Sequence, residues 1–266
     1  MATRAVLLER GSGRSRNTAR VAIEEFDHLG RFLHDMDSAL GGTLSAFEVM
    51  WNDFYRLIVT DGGHHGQPLD GSHGFYVLIE STGGHVDADK IQFEGALEEA
   101  FEQGLLVDAV IAQSQQQRED LWAIRDDIEG LVKGLDPPIT YDISLSIPKM
   151  DDYVAEVRQQ LNERWPDSRM VVFGHLGDGN IHLAITIGSL DENEVHAVDT
   201  IVYEALGRRQ GVISAEHGIG LEKREYLKHS RSAQEIALMK TIKQALDPKG
   251  ILNPGKIFEQ HQETPL

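Results

Sequence analysis

The sequence contains no cysteine among its 266 residues. Disulfides and thiolate metal sites are therefore excluded, and a cytoplasmic location is compatible with this absence. Long apolar runs are also missing: no stretch of about 18 consecutive apolar residues occurs, so no integral membrane helix is predicted. The first residues lack a long apolar core followed by small residues, so no secretory signal is predicted either.

Positive charge is scarce. The chain has 25 lysines and arginines against 43 aspartates and glutamates, for a formal net charge of −18. Nucleic acid is not an expected partner, because a duplex-binding surface needs cations to displace counterions, and the same argument disfavours anionic membranes. An anionic small substrate would need a local cluster of cations, which makes the few cations near any pocket candidates for binding.

Hydrophobic periodicity predicts the fold. Strand–helix–strand patterns occur twice in the first half of the chain, over residues 18–51 and 75–113, separated by a loop rich in glycine and histidine. Two such units in tandem predict an α+β fold of ferredoxin-like type, with an antiparallel-rich sheet and helices on one face. The histidines of this half, at 64, 65, 73 and 85, lie in predicted loops, where we expect them to be solvated.

The second half of the chain continues the mixed pattern and ends in a helical segment. Its predicted order is helix (116–133), strand (140–147), helix (151–163), hairpin (170–187), helix (192–210) and largely helical sequence (221–246).

The predicted hairpin carries two histidines. Asp178-Gly179 is a strong signal for a two-residue turn, which would place His175 directly opposite His182. Side chains at opposed positions point to the same face about 4.5–5.5 Å apart, so both imidazoles could bind one ion. The alternative, that both histidines simply flank a tight turn, stays open at this point.

A third candidate ligand follows a short predicted strand. Glu216 and His217 stand at its end, next to glycines. Zinc-type ions accept two histidines and one carboxylate and keep positions open for water or substrate, so Glu216 could complete the set. His217 would then lie beside the ion, where an imidazole can act as a general base. A helix start, with Glu216 favoured by the helix dipole, is the alternative.

Several motifs together resemble one known family. They are GHLGDGNIH (174–182), SAEHGIGLEKR (214–224), LDPKGILNPGKIF (246–258), LWAIRDDI (121–128), YDISLSIP (141–148) and GTLSAFEVMW (42–51). In this order they resemble the C-terminal domain of FAD-linked oxidases of the vanillyl-alcohol oxidase superfamily, which includes dehydrogenases of D-lactate and D-2-hydroxyglutarate and the glycolate oxidase flavin subunit. The resemblance covers nearly the whole chain from about residue 16.

The resemblance implies a divalent ion, usually zinc, bound by His175, His182 and Glu216. It implies that His217 is the catalytic base and that Arg125 holds the substrate carboxylate. An exposed helical pair with Glu129 is the alternative for Arg125. Asn253 would approach FAD by the same resemblance, with a turn before proline as its alternative.

Two positions depart from the hydroxyglutarate dehydrogenases of the family. Those enzymes have a lysine where this chain has Thr140, and an asparagine where it has Ala184. Both changes remove groups that would hold polar substrate oxygens. The resemblance therefore favours a smaller or less polar 2-hydroxy acid, such as D-lactate.

The family's flavin-binding domain, with its glycine-rich pyrophosphate-binding stretch, is not seen in this sequence. We therefore expect residues 1–16 to be the tail of that domain, residues 17–266 to be the substrate and metal domain, and FAD to be held by another domain or subunit.

Two other functions stay open. One is a stand-alone module that binds metal and hydroxy acid without catalysis; the other is a metal-dependent hydrolase, which is disfavoured because no HExxH helix is present.

Overall fold

A computed structural model describes residues 15–61 and 64–259 of the protein. The chain forms two compact units, unit 1 (Met1–Leu131) and unit 2 (Val132–Leu266). The predicted domain boundary at residue 16 falls at the edge of the described part: residues 1–14 lie outside it, and Ser15 and Arg16 already belong to the first strand.

Unit 1 is built on four strands. Its strands are β1 (Ser15–Ile23), β2 (Leu44–Trp51), β3 (Phe75–Gly83) and β4 (Asp108–Ile111). Its helices are α1 (Phe26–Leu40), α2 (Asn52–Tyr55), which continues into a π-helix (Arg56–Asp61), α3 (Val86–Glu102), α4 (Gln115–Arg125) and, at the boundary between the units, α5 (Ile128–Gly134). The strand order is β4-β1-β3-β2 and every pairing is antiparallel, which confirms the predicted ferredoxin-like arrangement.

One face of this sheet packs on α1 and α3 through apolar side chains. Helix α1 buries Leu29, Phe32 and Met36 at helical spacing, and the Phe32 ring lies 5.5 Å from that of Phe47 on β2. The helix ends at Gly41, which has the left-handed φ of 59° and donates its N–H to the carbonyl of Asp37. These contacts account for the helices predicted on one face.

The opposite face of the unit 1 sheet is partly covered as well, by α4, and it is polar. Glu80 accepts hydrogen bonds from Thr18 (2.7 Å) and from the Trp122 indole of α4 (3.0 Å). Arg20 is fully buried and donates to the Leu121 carbonyl at 2.6 Å. Burial lowers the pKa of Arg20 to about 10, so the guanidinium stays charged at neutral pH.

Two expectations for unit 1 are corrected. The helix predicted over 116–133 is two helices, because Asp127 interrupts it and accepts the Gly130 N–H at 2.7 Å, which caps the start of α5. His65 and His73 are not solvated loop residues: they pair with Asp127 (2.9 Å) and Glu24 (2.6 Å), and their side chains are 20% and 17% exposed. The other two loop histidines, at 64 and 85, are exposed as expected.

Unit 2 contains three antiparallel strands in the order β6-β7-β5. Its elements are β5 (Ile139–Ser144), α6 (Met150–Arg164), β6 (Arg169–His175), β7 (Asn180–Thr186), α7 (Glu192–Arg208) and α8 (Ala233–Leu246). Tyr141 of β5 donates to Asp199 of α7 at 2.6 Å, so the face that carries Tyr141 is the helix-covered one. Since side chains alternate along a strand, the neighbouring Asp142 belongs to the other face, with His182 directly opposite it.

No helix among the described residues is long and apolar enough to cross a membrane.

An ion-pair cluster joins α6 to the end of α7, and it gives a pH-dependent prediction. Glu156 accepts hydrogen bonds from Arg208 and, at 2.6 Å, from Arg209. Burial opposes ionisation of Glu156, but these hydrogen bonds outweigh it and lower the pKa of the carboxyl below its usual value. Because the pKa of Glu156 is lower in the folded state, its ionised carboxylate stabilises the fold above the unfolded pKa of about 4.3. This stabilisation is lost as the pH falls through the folded-state pKa.

We therefore expect Glu156→Gln to lower the free energy of unfolding by about 1 kcal/mol at pH 7 and to have little effect near pH 3. Urea unfolding at the two pH values measures the difference. Glu163→Gln, on the exposed end of the same helix, is the matched control and should be near neutral. Equal stability of Glu156→Gln and wild type at pH 7 would contradict the prediction.

Candidate metal and substrate site

The β6–β7 hairpin has a different register from the predicted one. His175 lies opposite Asn180 and Phe173 lies opposite His182, so the two histidines are diagonal neighbours. The connection is longer than two residues because Leu176–Asp178 form a 3-10 turn, with Leu176 fully buried, and Gly179 closes it with a φ of 66°. The register differs by two residues, which leaves both histidines on one face, whereas a slip of one would have separated them.

Gly174 allows the two strands to approach closely just before His175. A Cβ at this position would lie 2.4 Å from the carbonyl oxygen of Asn180 and 2.7 Å from the Cα of Ile181, both backbone atoms. No side chain larger than hydrogen fits there without moving the hairpin, so Gly174 helps to set the position of His175.

The three predicted ligands come together. Ligand atoms of His175, His182 and Glu216 all lie within 4.8 Å of one another, the only such group of three found among the described residues. The imidazole rings are 5.4 Å apart between centroids, and His175 Nε2 lies 3.7 Å from Glu216 Oε1. Two ligands of a tetrahedral zinc ion are about 3.3 Å apart, as bond lengths near 2.0–2.1 Å require. Small side-chain movements would therefore bring this donor set onto one ion.

The segment that carries Glu216 is held against the edge of β5. Val212 and Ser144 exchange two backbone hydrogen bonds of 2.7 and 3.0 Å. Further along, Asp142 Oδ2 accepts the backbone N–H groups of Glu216 (2.8 Å) and His217 (2.9 Å). Burial opposes ionisation of Asp142, but these two amides and the charge of Lys223 lower the pKa of its carboxyl. Asp142 is thus a buried anion that holds a turn.

His217 lies beside the cluster and is open to solvent. Its side chain is 70% exposed, and its Nδ1 is 3.8 Å from Asp142 Oδ2. The same Asp142 oxygen therefore faces both the backbone and the ring of His217. An exposed imidazole next to a candidate metal site is accessible to a substrate proton.

Asp142 was missed as a site residue by the sequence analysis, which quoted it only within a motif. The available signal was the one charged residue of its strand, a carboxylate between Tyr141 and Ile143. A buried charge of this kind needs partners. Those partners lie 74 and 75 residues away, so the sequence could not indicate which groups they are.

Arg125 belongs to unit 1 and is buried. Only 6% of the residue is exposed, and its Nε and a terminal nitrogen both lie 2.9 Å from Glu48 Oε2 on β2. The alternative of an exposed helical pair with Glu129 is therefore wrong, because the Arg125 side chain is buried. The role of Arg125 in holding a substrate carboxylate stays a prediction.

Asn253 is exposed and lies in a turn of unit 2. Its φ is 47°, and its carbonyl accepts the N–H of Lys256 at 3.2 Å. This geometry matches the alternative of a turn asparagine. Its predicted contact with FAD stays a prediction.

The two positions that depart from the hydroxyglutarate dehydrogenases are neighbours in space. Thr140 lies directly opposite Ala184 in the β5–β7 register. This pair is two residues along the strands from the pair Asp142 and His182. All four therefore share one face of the unit 2 sheet.

The comparison with known families is decisive for the whole chain. Residues 13–257 match the model described as FAD linked oxidases, C-terminal domain. The chain belongs to this family. The match spans both compact units described above.

Curated relatives include dehydrogenases of two 2-hydroxy acids. The chain is 35% identical over 91% of its length to the mitochondrial D-2-hydroxyglutarate dehydrogenase of Arabidopsis thaliana, and 35% identical over 91% to a putative mitochondrial D-lactate dehydrogenase of Schizosaccharomyces pombe. It spans 43% and 48% of those two proteins. The names of both relatives include "mitochondrial", so the cytoplasmic location predicted here is not a property of the relatives in general.

Solved structures support the fold. The crystal structure of p-cresol methylhydroxylase with substrate bound superimposes with a TM-score of 0.63 over 93% of this chain and 53% of that one, at 12% identity. At this identity the likeness concerns the fold alone.

Proposed function

We propose that this chain is the substrate- and metal-binding part of a flavin-dependent dehydrogenase that oxidises a D-2-hydroxy acid to the 2-oxo acid. The observation that carries the proposal is the convergence of His175, His182 and Glu216 within 4.8 Å, with His217 beside them. Membership of the FAD-linked oxidase family supports the reaction class, and the names of the relatives support the substrate class.

In this proposal the two histidines and Glu216 hold one divalent ion of zinc type. When bound, such an ion would polarise the hydroxyl and carboxylate oxygens of the acid and favour loss of the hydroxyl proton. His175 and His182 come from a rigid hairpin, while Glu216 comes from a turn fixed by Asp142. Three ligands leave positions open for the substrate.

His217 accepts the hydroxyl proton of the substrate at an imidazole nitrogen. The exposure of its ring makes this nitrogen available, and the carboxylate of Asp142 lies 3.8 Å from Nδ1 of the ring. Arg125 remains the predicted ligand of the substrate carboxylate, for which a planar guanidinium is well suited.

FAD is proposed to be held mainly by a separate domain or subunit, with Asn253 as the one residue of this chain that the resemblance assigns to it. FAD would accept the hydride from C2 of the acid. The residues of this chain position the acid and take its proton.

The substrate side chain is proposed to be small or weakly polar, as in D-lactate. Thr140 and Ala184 lie on the face that carries His182, and neither supplies the cation or amide found in hydroxyglutarate dehydrogenases. A second carboxylate on the substrate would meet no compensating group from these two positions.

Metal-dependent binding of the acid tests the proposal. We expect D-lactate to bind the zinc-loaded chain at least about 10-fold more tightly than the chelator-treated chain, as measured by calorimetry, because the ion supplies the ligand for its oxygens. D-2-hydroxyglutarate should bind more weakly than D-lactate to wild type and gain affinity in a Thr140→Lys/Ala184→Asn variant.

L-Lactate is the matched control for the configuration of the acid. Equal D-lactate affinity with and without zinc would refute the proposed site. Rapid dye reduction by D-lactate with this chain and free FAD alone would refute the proposal that another domain or subunit holds the flavin.

A further inference from the structure

The Asp142 carboxylate links the strands that carry the two histidines to the segment carrying Glu216 and His217. Its side chain is 2% exposed, and it lies on β5 directly opposite His182. One of its oxygens, Oδ2, accepts two backbone N–H groups from consecutive residues, Glu216 and His217. Its other oxygen, Oδ1, is buried without a hydrogen-bond partner.

Burial of the Asp142 carboxylate costs free energy, and the contacts at Oδ2 offset only part of this cost. A buried carboxylate with one oxygen unsatisfied carries a desolvation penalty, and an apolar residue would avoid it at this strand position. Two charge-assisted hydrogen bonds to adjacent amides offset part of that penalty and fix the direction of both peptide groups. Fixed peptide groups in turn limit where the Cβ atoms of Glu216 and His217 can lie.

Ser214 Oγ donates to the Gly218 carbonyl at 2.9 Å and accepts from Lys223 at 3.1 Å, while the amides of Glu216 and His217 donate to Asp142. Upstream, the segment is bound to β5 by the Val212–Ser144 pair, and the backbone of Ala215 reaches the Asp142 carbonyl at 3.4 Å, which is at the limit for a hydrogen bond. Beyond Ala215, the strand-like pairing ends and the backbone turns away. Hydrogen bonds to the Asp142 side chain replace the lost ladder at the two residues that carry the proposed chemistry.

We infer that Asp142 is a positioning residue, which holds the backbone of Glu216 and His217 so that the Glu216 carboxylate meets the two histidines and the His217 ring stands beside them. The inference rests on the proposed function, because only a metal site gives this position of Glu216 and His217 a role. It assigns to Asp142 a role in metal affinity without direct contact with the ion, as outer-shell partners have in other metal sites.

Amide hydrogen exchange and zinc affinity, measured on the full chain, test the inference in two independent ways. We expect Asp142→Ala to accelerate exchange of the Glu216 and His217 amides at least about 10-fold and to weaken zinc binding about 10–100-fold, the usual cost of losing an outer-shell partner. Asp142→Asn retains an acceptor oxygen and should show smaller effects on both, because neutral hydrogen bonds are weaker than charge-assisted ones.

Tyr141→Phe is the matched control. It removes the part-buried hydrogen bond to Asp199 from the neighbouring position, on the opposite face of the same strand. Exchange of the two amides and the zinc affinity should stay unchanged, while thermal stability should fall. If Asp142→Ala does not fold, Asp142→Asn provides the test. We then expect Asp142→Asn, but not Tyr141→Phe, to accelerate exchange of these two amides and to weaken zinc binding.

Unchanged exchange of the Glu216 and His217 amides in both Asp142 variants would overturn the inference. So would faster exchange with wild-type zinc affinity, because the turn would then not matter to the ligand. A wild-type chain that binds no zinc would refute the proposed function instead, and the exchange rates alone would then decide whether Asp142 holds the turn.

Discussion

Replacement of His182 by alanine is expected to abolish stoichiometric metal binding. Wild type should contain about one divalent ion per chain after equilibration with zinc and desalting, as a site with three protein ligands retains its ion. The variant loses one donor of the His175, His182 and Glu216 group, whose ligand atoms lie within 4.8 Å of one another. The loss of affinity should exceed the roughly 10–100-fold that removal of an outer-shell partner costs. Elemental analysis of both proteins measures the content directly.

His85→Ala provides the comparison, since it removes an exposed histidine of unit 1 and should retain the full metal content. Equal metal content in wild type and His182→Ala would show that the ion binds elsewhere. Glu216→Gln extends the test, because it keeps the size of the side chain and removes only the charge. A partial loss of zinc affinity there would identify the carboxylate as the third ligand.

Replacement of Arg125 by alanine is expected to destabilise the fold by about 3–5 kcal/mol, the usual cost of leaving one member of a buried ion pair without its partner. Glu48 is the member that remains: its side chain and that of Arg125 are both only 8% exposed, and two guanidinium nitrogens lie 2.9 Å from one of its oxygens. Urea unfolding at pH 7 measures the loss. A double variant, Arg125→Met/Glu48→Leu, should recover much of the stability, because apolar residues of similar volume can replace a buried pair without loss.

The same double variant separates the structural role of Arg125 from its predicted substrate role. If Arg125 holds the substrate carboxylate, the folded double variant should bind D-lactate more weakly than wild type, with zinc affinity unchanged. Wild-type acid affinity would contradict the substrate role and leave the ion pair as the reason for the arginine. A cost below about 1 kcal/mol for Arg125→Ala would mean that the pair with Glu48 behaves like an exposed one.

The fold was largely predictable because local patterns and the global arrangement agree. The apolar spacing of α1 and the alternation of β2 indicated their types, and Gly41 marked the end of α1 in the conformation that glycine favours. Where the predictions were wrong, a single side chain decided the outcome. Asp127 divides a predicted helix by capping α5, and Leu176, buried in the hairpin loop, lengthens a turn that Asp178-Gly179 had indicated would be short.

The candidate site was only partly predictable. The sequence indicated the identity of His175, His182, Glu216 and His217, and the motifs indicated the family that the comparison then established. The convergence of the three ligands survived the error in register because both histidines kept their parity on the strands. Their neighbours Thr140 and Ala184 were known as departures, but only the β5–β7 register shows that they face each other.

By itself, therefore, the sequence determined what depends on residue type and on neighbours along the chain: most of the secondary structure, the ferredoxin-like arrangement of the first half, the candidate ligand residues and the resemblance to the family. Only the tertiary structure decided which distant groups meet, such as Arg125 with Glu48 and Asp142 with the amides of Glu216 and His217. The physical reason is that a buried charged residue needs a partner, but its residue type does not indicate which residue that partner is. The partner is set by strand register and by packing, which depend on the whole chain.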